Sequence, residues 1–321
     1  MIETSLLENN SIRSRLVSRF ATLGREIWKH KEKYLLILPG MAWFIVFAYI
    51  PMYGLTLAFR QFRADLGLFG SPWIGLANFE RVFADPLFMD AVWRTLYLNA
   101  GRLIFVFPVP IILALFVNEL RLRRTKKILQ SIFTFPNFLS WVIVAGIMID
   151  VLGRHGLVNS LLGLLGFEPI SFLGTPALFQ PMVYLTSIWQ SAGWSAIIYM
   201  AAIAGIDTEQ YEAAEIDGSS RMQRIWYITL PGIKGTIVVL FILAIGNLMQ
   251  GGFEQIFNLR NAATMRVAEI LDVYIWRITF DAPANFGFSS AVALFRSVIN
   301  FSLLFVAHHV SKRLSGSGLL A

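Results

Sequence analysis

The sequence predicts an all-α integral membrane protein with about six transmembrane helices and a cytoplasmic helix–turn–helix loop between the fourth and fifth. Three observations carry that prediction. Of the 321 residues, 56% are hydrophobic and only 15% charged, with a mean hydropathy of +0.62, well beyond the balance of soluble domains. Six apolar stretches, near 34–58, 92–118, 128–153, 178–205, 236–257 and 289–311, are each long enough for a crossing that takes about 20 residues. One charged, helix-forming patch, EAAEIDGSSRMQRIWYITLP at 212–231, interrupts this apolar run.

Residues 1–33 are polar and basic and lack the apolar core of a secretory signal. Within them Ile12, Leu16, Phe20, Leu23 and Ile27 recur at helical spacing, with Arg13, Arg15, Arg19, Arg25 and Lys29 on other faces. The pattern predicts an interfacial helix on an anionic membrane leaflet. The acidic Glu3, Glu8, Glu26 and Glu32 weigh against a mitochondrial-type targeting helix. Residues 34–311 then form the transmembrane domain and 312–321 a short tail. Pro51, Pro108, Pro110, Pro136 and Pro181 fall inside spans and predict kinked helices, whose freed carbonyls neighbouring groups can satisfy.

Orientation follows from the cations. Seven Lys and Arg lie in 1–33, five in 119–127, three in 206–234 and two in 312–321, together 17 of the 27. Segments of this kind stay in the cytoplasm, and RLRRTKK at Arg121–Lys127 is the strongest single signal. Both termini and the 207–231 segment are therefore expected inside. Three longer segments, about 59–91, 154–177 and 258–288, face outward. The last carries Val267, Ile270, Leu271, Tyr274 and Trp276 near helical spacing, interrupted by Glu269, Asp272 and Arg277, and reads as an outer interfacial helix able to receive a soluble binding protein. A net charge of +7 is explained by this placement without invoking nucleic acid.

In the charged patch, Ala213, Ala214, Glu209, Glu212 and Glu215 favour a short helix, Gly218 relieves its end, and Ser219 or Ser220 can cap a second helix running toward Leu230 and Pro231. Composition alone allows a solvated connecting loop or a docking knob for a soluble partner.

No GxxxxGK[ST] phosphate loop occurs, so ATP is not bound by that route. Cysteine is absent, and the adjacent His308 and His309 diverge by about 100° on a helix, poor geometry for a shared metal. No nucleophile with a neighbouring base stands out. The expectation is no enzyme activity, no metal and no cofactor in this chain.

Polar groups inside spans are costly and rarely face lipid. Asn247, Gln250 and Glu254 fall at i, i+3 and i+7 of the fifth span, Ser187, Gln190 and Trp194 at the same spacing on the fourth, and Arg102 and Arg296 lie within the second and sixth. Together with Trp189 they predict either a wet, sugar-compatible cavity or helix–helix packing in which Glu254 or Asp150 neutralises an arginine.

The spacing of Glu212, Ala213, Ala214, Gly218, Ile228, Leu230 and Pro231 resembles the EAA loop of permease subunits in binding-protein-dependent ABC importers. KYLLILPGMAWFIVFAYIPMYG at Lys33–Gly54 and LFRSVINF at Leu294–Phe301 resemble the carbohydrate class, including complex-oligosaccharide and alginate permeases. Gly235 departs from the proline often found there. The resemblance implies a bacterial inner-membrane subunit that imports a sugar, oligosaccharide or acidic polysaccharide. It also implies ATPase coupling through Glu212, Ala213, Ala214, Glu215, Asp217, Gly218, Leu230 and Pro231. Expected partners are a similar, non-identical second permease, two ATPase subunits holding ATP and Mg, an extracytoplasmic solute-binding protein, and membrane lipid. An ion-coupled secondary transporter would instead require paired carboxylates, for which Asp150 and Glu254 are the ones near the spans.

Overall fold

A computed structural model describes residues 28–120, 122–281 and 285–315. Among them the chain is helical, with a lone β-bridge between Arg60 and Trp73. The basic N-terminal helix expected within 1–27, Arg121 and the end of the tail lie outside the described residues.

The chain divides into two units, Met1–Thr56 and Leu57–Ala321. In the first, helix α1 spans Lys31–Phe44 and the backbone continues through a π turn, Ile45–Tyr49, into a 3₁₀ stretch that begins at Ile50. The run from Lys31 to Phe59 is long and apolar enough to cross a membrane.

The second unit opens with α2 (Ala77–Ala84) and α3 (Pro86–Gly101). Asp85 caps α3 by accepting the Leu87 amide at 2.9 Å, and Pro86 occupies the first turn, where its missing N–H costs nothing. A π turn over Arg102–Val106 links α3 to α4 (Pro108–Asn118). Pro108 cannot donate to the preceding turn, and the Phe107 amide reaches Arg102 O at 2.9 Å instead. The joined Pro86–Asn118 run is 33 residues long and apolar.

The third apolar stretch is not one helix. The structure breaks it into α5 (Arg123–Thr134), a 3₁₀ turn at Phe135–Phe138 and α6 (Trp141–Leu152). Pro136 and the extended Ser140, which caps α6, cause the break. After Gly153 the apolar run continues into α7 (Leu157–Leu164). Helix α8 (Pro176–Ala204) has 29 residues and is about 43 Å long, although Gln190, Ser191 and Ser195 lower its hydropathy.

Helices α9 (Thr208–Ile216) and α10 (Arg221–Arg224) follow. The fifth apolar stretch is also discontinuous: α11 (Lys234–Gly246) stops, residues 247–252 are irregular, and α12 (Phe253–Leu259) resumes. Asn247, Gln250 and Glu254 therefore do not share one helical face, because the backbone between them leaves the helix.

The expected outer ledge is a short helix, α13 (Leu271–Trp276), continued by a π turn to Asp281. It is no surface ledge. Ile270, Leu271, Val273 and Tyr274 are fully buried, and α13 packs on α3 and on α14 (Phe286–Ser315).

Three apolar clusters hold this unit together. Phe88, Val92, Leu271, Tyr274 and Val292 join α3, α13 and α14. Leu98, Val183, Ile256 and Ile270 join α3, α8 and α12. Ala114, Ala196, Tyr199 and Ile233 join α4, α8 and the start of α11. Among membrane helices such clusters hold by close van der Waals packing rather than by removal from water, and they fix the frame around the break between α11 and α12.

Candidate functional site

The irregular stretch 247–252 is held by polar side chains from four elements. Its sharpest bend is at Gly252, whose φ of +71° favours glycine and whose missing Cβ leaves room for the guanidinium of Arg102, 3.0 Å from where that Cβ would stand. Arg102 Nη1 donates to Gly251 O at 2.9 Å and to Asn99 Oδ1 at 3.1 Å, and Nη2 donates to Gln255 Oε1 at 2.6 Å. Asn99 Nδ2 donates to Leu248 O at 2.7 Å. The freed carbonyls of the break are thus satisfied by side chains of α3 and of the π turn that follows it.

Gln255 is the hub. Only 2% exposed, it donates through Nε2 to Val183 O at 2.7 Å and to Thr186 Oγ1 at 2.8 Å. Its Oε1 accepts from Ser187 Oγ at 3.0 Å as well as from Arg102. On the other side of the break, Asp272 Oδ2 accepts the Gly251 amide at 3.0 Å, while Oδ1 pairs with Arg296 of α14. The Gly251 backbone is therefore gripped at its carbonyl by Arg102 and at its amide by Asp272.

This geometry corrects the expected pairing. Neither Glu254 nor Asp150 neutralises the arginines: Asp272 pairs with Arg296, and neutral amides and a carbonyl hold Arg102. Glu254 is exposed at the first turn of α12, and Asn247 is exposed, its amide turned back to Leu243 O at 2.9 Å. Gln250 and Trp189 are exposed, Gln190 is half-buried, and Trp194 packs edge-on against Phe138 with centroids 5.8 Å apart. Ser187 is buried on Gln255, away from the Gln190 side chain's level of exposure. Sequence reasoning missed Asn99, Gln255 and Asp272; the signal was the Gly251–Gly252 pair inside an apolar span.

The second site is the charged segment. Asp207 caps α9 by accepting the Glu209 amide at 3.0 Å. Gly218, at φ +76°, ends it: the Ser219 amide reaches Ala214 O at 2.9 Å and the Gly218 amide reaches Glu215 O at 3.1 Å, a complete Schellman closure. Ser220 rather than Ser219 starts α10, in a capping box with Gln223. Two cross-links then close the hairpin, Arg224 to Glu215 at 3.2 Å and Tyr211 Oη to Thr229 Oγ1 at 2.9 Å.

Glu212, Ala213, Glu215, Asp217, Gly218 and Pro231 are exposed, with Ala214 and Leu230 half-buried. Beside them project four large apolar side chains that the sequence reading did not single out: Ile216 at 88% exposure, Met222, Trp226 and Tyr227. Next to this face lies a polar hollow of about 600 Å³, lined by Asp207, Gln210, Tyr227 and Pro231. A doubly capped knob that carries exposed apolar side chains suits docking against a partner better than simple solvation does.

Comparison with known proteins gives the family and the fold. Residues 107–316 match the family described as "Binding-protein-dependent transport system inner membrane component". The chain is 42% identical over 292 residues to the polygalacturonan/rhamnogalacturonan transport system permease protein YteP of Bacillus subtilis (strain 168), covering 91% of each chain. It is 40% identical over 304 residues to Protein LplB of the same organism, covering 94% of each. Among solved structures, a bacterial ABC transporter chain involved in import of the acidic polysaccharide alginate superposes with a TM-score of 0.84 at 36% identity, over 91% of this chain and 99% of that one. A second structure, of the alginate transporter with its pentasaccharide-bound periplasmic protein, gives 0.84 at 34% identity, over 92% and 99%.

Proposed function

Because the chain belongs to the family of binding-protein-dependent transport system inner membrane components, we propose that it is one of two permease subunits of an ATP-driven importer. The cargo is a sugar or oligosaccharide, with acidic polysaccharide fragments such as those of alginate among the candidates. The chain is a transport subunit, not an enzyme; ATP and Mg sit on two separate ATPase subunits, and a solute-binding protein delivers cargo from outside. The membrane is the bacterial cytoplasmic membrane, with both termini on the cytoplasmic side.

The observation that carries this reading is the capped α9–α10 knob. Its caps and cross-links make it rigid enough to transmit a push, and Ile216, Met222, Trp226 and Tyr227 leave apolar side chains exposed on it. Seated in an ATPase cleft, it couples nucleotide state to helix tilt and thus to alternating access. One chain offers one such knob. Two ATPase sites need two, which calls for a second, similar but non-identical permease.

The exposed Asn247, Gln250 and Glu254 on the broken span argue in the same direction, since polar groups facing hydrocarbon are expensive. A second permease closing over them forms a wet path, in which these residues with Trp189, Gln190 and Trp194 meet sugar hydroxyls and ring faces. Arg102 and Arg296 support the path from behind through their internal partners. The test is ATP hydrolysis by the assembled complex with its binding protein and a panel of neutral and uronic oligosaccharides. Cargo-dependent stimulation supports the reading; hydrolysis indifferent to every sugar, with intact assembly, contradicts it.

A further inference from the structure

We propose that a notch at the outer ends of α6 and α12 binds the carboxylate of an acidic oligosaccharide before it enters the path. The proposal deepens the reading above and rests on it. The notch holds about 310 Å³, the lower end of the range for small-molecule sites. Three segments form it: the last turn of α6 with Gly153 and Arg154, the loop at 171–174, and the end of α12 with Arg260 and Asn261.

Its charge is one-sided. Arg154 and Arg260 both line it, and no Asp or Glu does. Among the described residues neither guanidinium has an ion-pair or hydrogen-bond partner, so no carboxylate neutralises this hollow. Two unneutralised guanidinium groups facing one hollow repel each other unless an anion joins them, and the planar guanidinium fork matches a carboxylate.

The site is also pre-organised. Arg260 lies 4.2 Å over the Phe257 ring and 5.5 Å from that of Trp276, and those two rings meet edge to face at 4.6 Å. Stacking fixes the plane of the guanidinium while leaving its N–H groups available. The walls are tied together by Asn261, whose Nδ2 donates to Leu173 O at 2.7 Å. Asn258 donates through Nδ2 to Glu254 O at 2.7 Å, and its Oδ1 is without a partner among the described residues, an acceptor for a sugar hydroxyl. Glu254, whose carbonyl Asn258 binds, is exposed in the first turn of α12, just after the irregular stretch that carries Asn247 and Gln250. A carboxylate held at the notch therefore places the adjoining sugar unit near the start of the path.

The test uses the assembled importer in nanodiscs without its binding protein. Trigalacturonate and its carboxyl-reduced neutral counterpart serve as probes, followed by saturation-transfer NMR in wild type and in the Arg154→Gln/Arg260→Gln variant. Wild type is expected to bind the acidic trisaccharide more tightly than the neutral one. The variant should bind it about 10- to 100-fold more weakly, with neutral-sugar binding unchanged. Affinity of the complex for the binding protein, measured in parallel, should not move.

Unchanged acidic-sugar binding overturns the proposal, as does equal loss for both sugars or no preference in wild type. Weakened docking of the binding protein with sugar binding intact would reassign the notch to a protein contact and also overturn it. The broader transport reading fails separately, if wild type with its binding protein takes up neither sugar in an ATP-dependent way.

Discussion

Arg296 on the last helix donates to the carboxylate of Asp272, and the other oxygen of that carboxylate accepts the Gly251 amide at 3.0 Å. One acidic side chain thus ties α14 to the break between α11 and α12. A cation within a span becomes affordable because its partner sits on a buried helix that is itself locked into the α3 and α14 core. Arg296→Gln or Asp272→Asn alone leaves the other member half-buried and unpaired, at a cost of up to about 3 kcal/mol. Each single change should lower the thermal midpoint of the assembled complex for every cargo, and the double change should recover much of it. If Arg296→Gln instead spares stability and selectively reduces uronate uptake, the residue faces cargo rather than Asp272.

Gln255 is predicted to be less replaceable than its lack of charge suggests. Gln255→Leu removes the acceptor for Arg102 and Ser187 and the donor to Val183 and Thr186. Each buried group left unsatisfied costs about 1–3 kcal/mol. Detergent-extracted complex carrying this change should unfold at a clearly lower temperature, while Gln255→Glu, which keeps an acceptor for Arg102, should be milder. Equal tolerance of both would mean that the hub does not hold the break.

The knob can be weakened through its backbone and caps or through its exposed charge. Gly218→Ala forces a Cβ into the left-handed region, where nothing crowds it but its own backbone strain, about 1–2 kcal/mol. Ser220→Ala removes the capping box, about 1 kcal/mol. Both should reduce cargo-stimulated ATP hydrolysis while membrane insertion stays normal, and Glu212→Lys should do the same by reversing an exposed charge. Retention of wild-type stimulation by all three would count against docking through this segment.

How much of this was legible differs from segment to segment. The α9–α10 hairpin could be read because its determinants are local: Asp207, Gly218 and Ser220 act within four residues of themselves. The breaks at Pro136–Ser140 and at 247–252 are harder to read: Pro136 and the Gly251–Gly252 pair weaken a helix there, but long apolar flanks on either side carry the hydropathy through, and hydropathy does not register dihedral angles. The partners of Arg102 and Arg296 were not readable at all. Gln255 is 153 positions from Arg102 in the chain, and only the packed helices bring them together. The burial of α13 is hidden in the sequence because Glu269, Asp272 and Arg277 break its apolar pattern. Both acids are satisfied internally, Glu269 by Arg277 at 2.7 Å and Asp272 by Arg296.

Tyr274, at the centre of that helix, gives a pH prediction. Burial first, and then the hydrogen bond its hydroxyl donates to Asp85 Oδ2 at 2.6 Å, hold its phenol well above the usual value. The folded state therefore favours the protonated phenol. Its stabilising contribution is complete below the unfolded value, about 10, and declines as pH rises toward the folded one. Stability of the complex should fall at alkaline pH more steeply in wild type than in Tyr274→Phe, and identical alkaline slopes would refute the link.

The measurement closest to the central claim is uptake of a labelled oligosaccharide into proteoliposomes holding the whole complex, with binding protein outside and ATP inside. The account predicts uptake that requires both ATP and the binding protein, survives ionophores that collapse every ion gradient, and is lost in Gly218→Pro despite normal assembly. Uptake that proceeds without ATP and disappears with the ionophores would contradict it, and would make this chain an ion-coupled carrier.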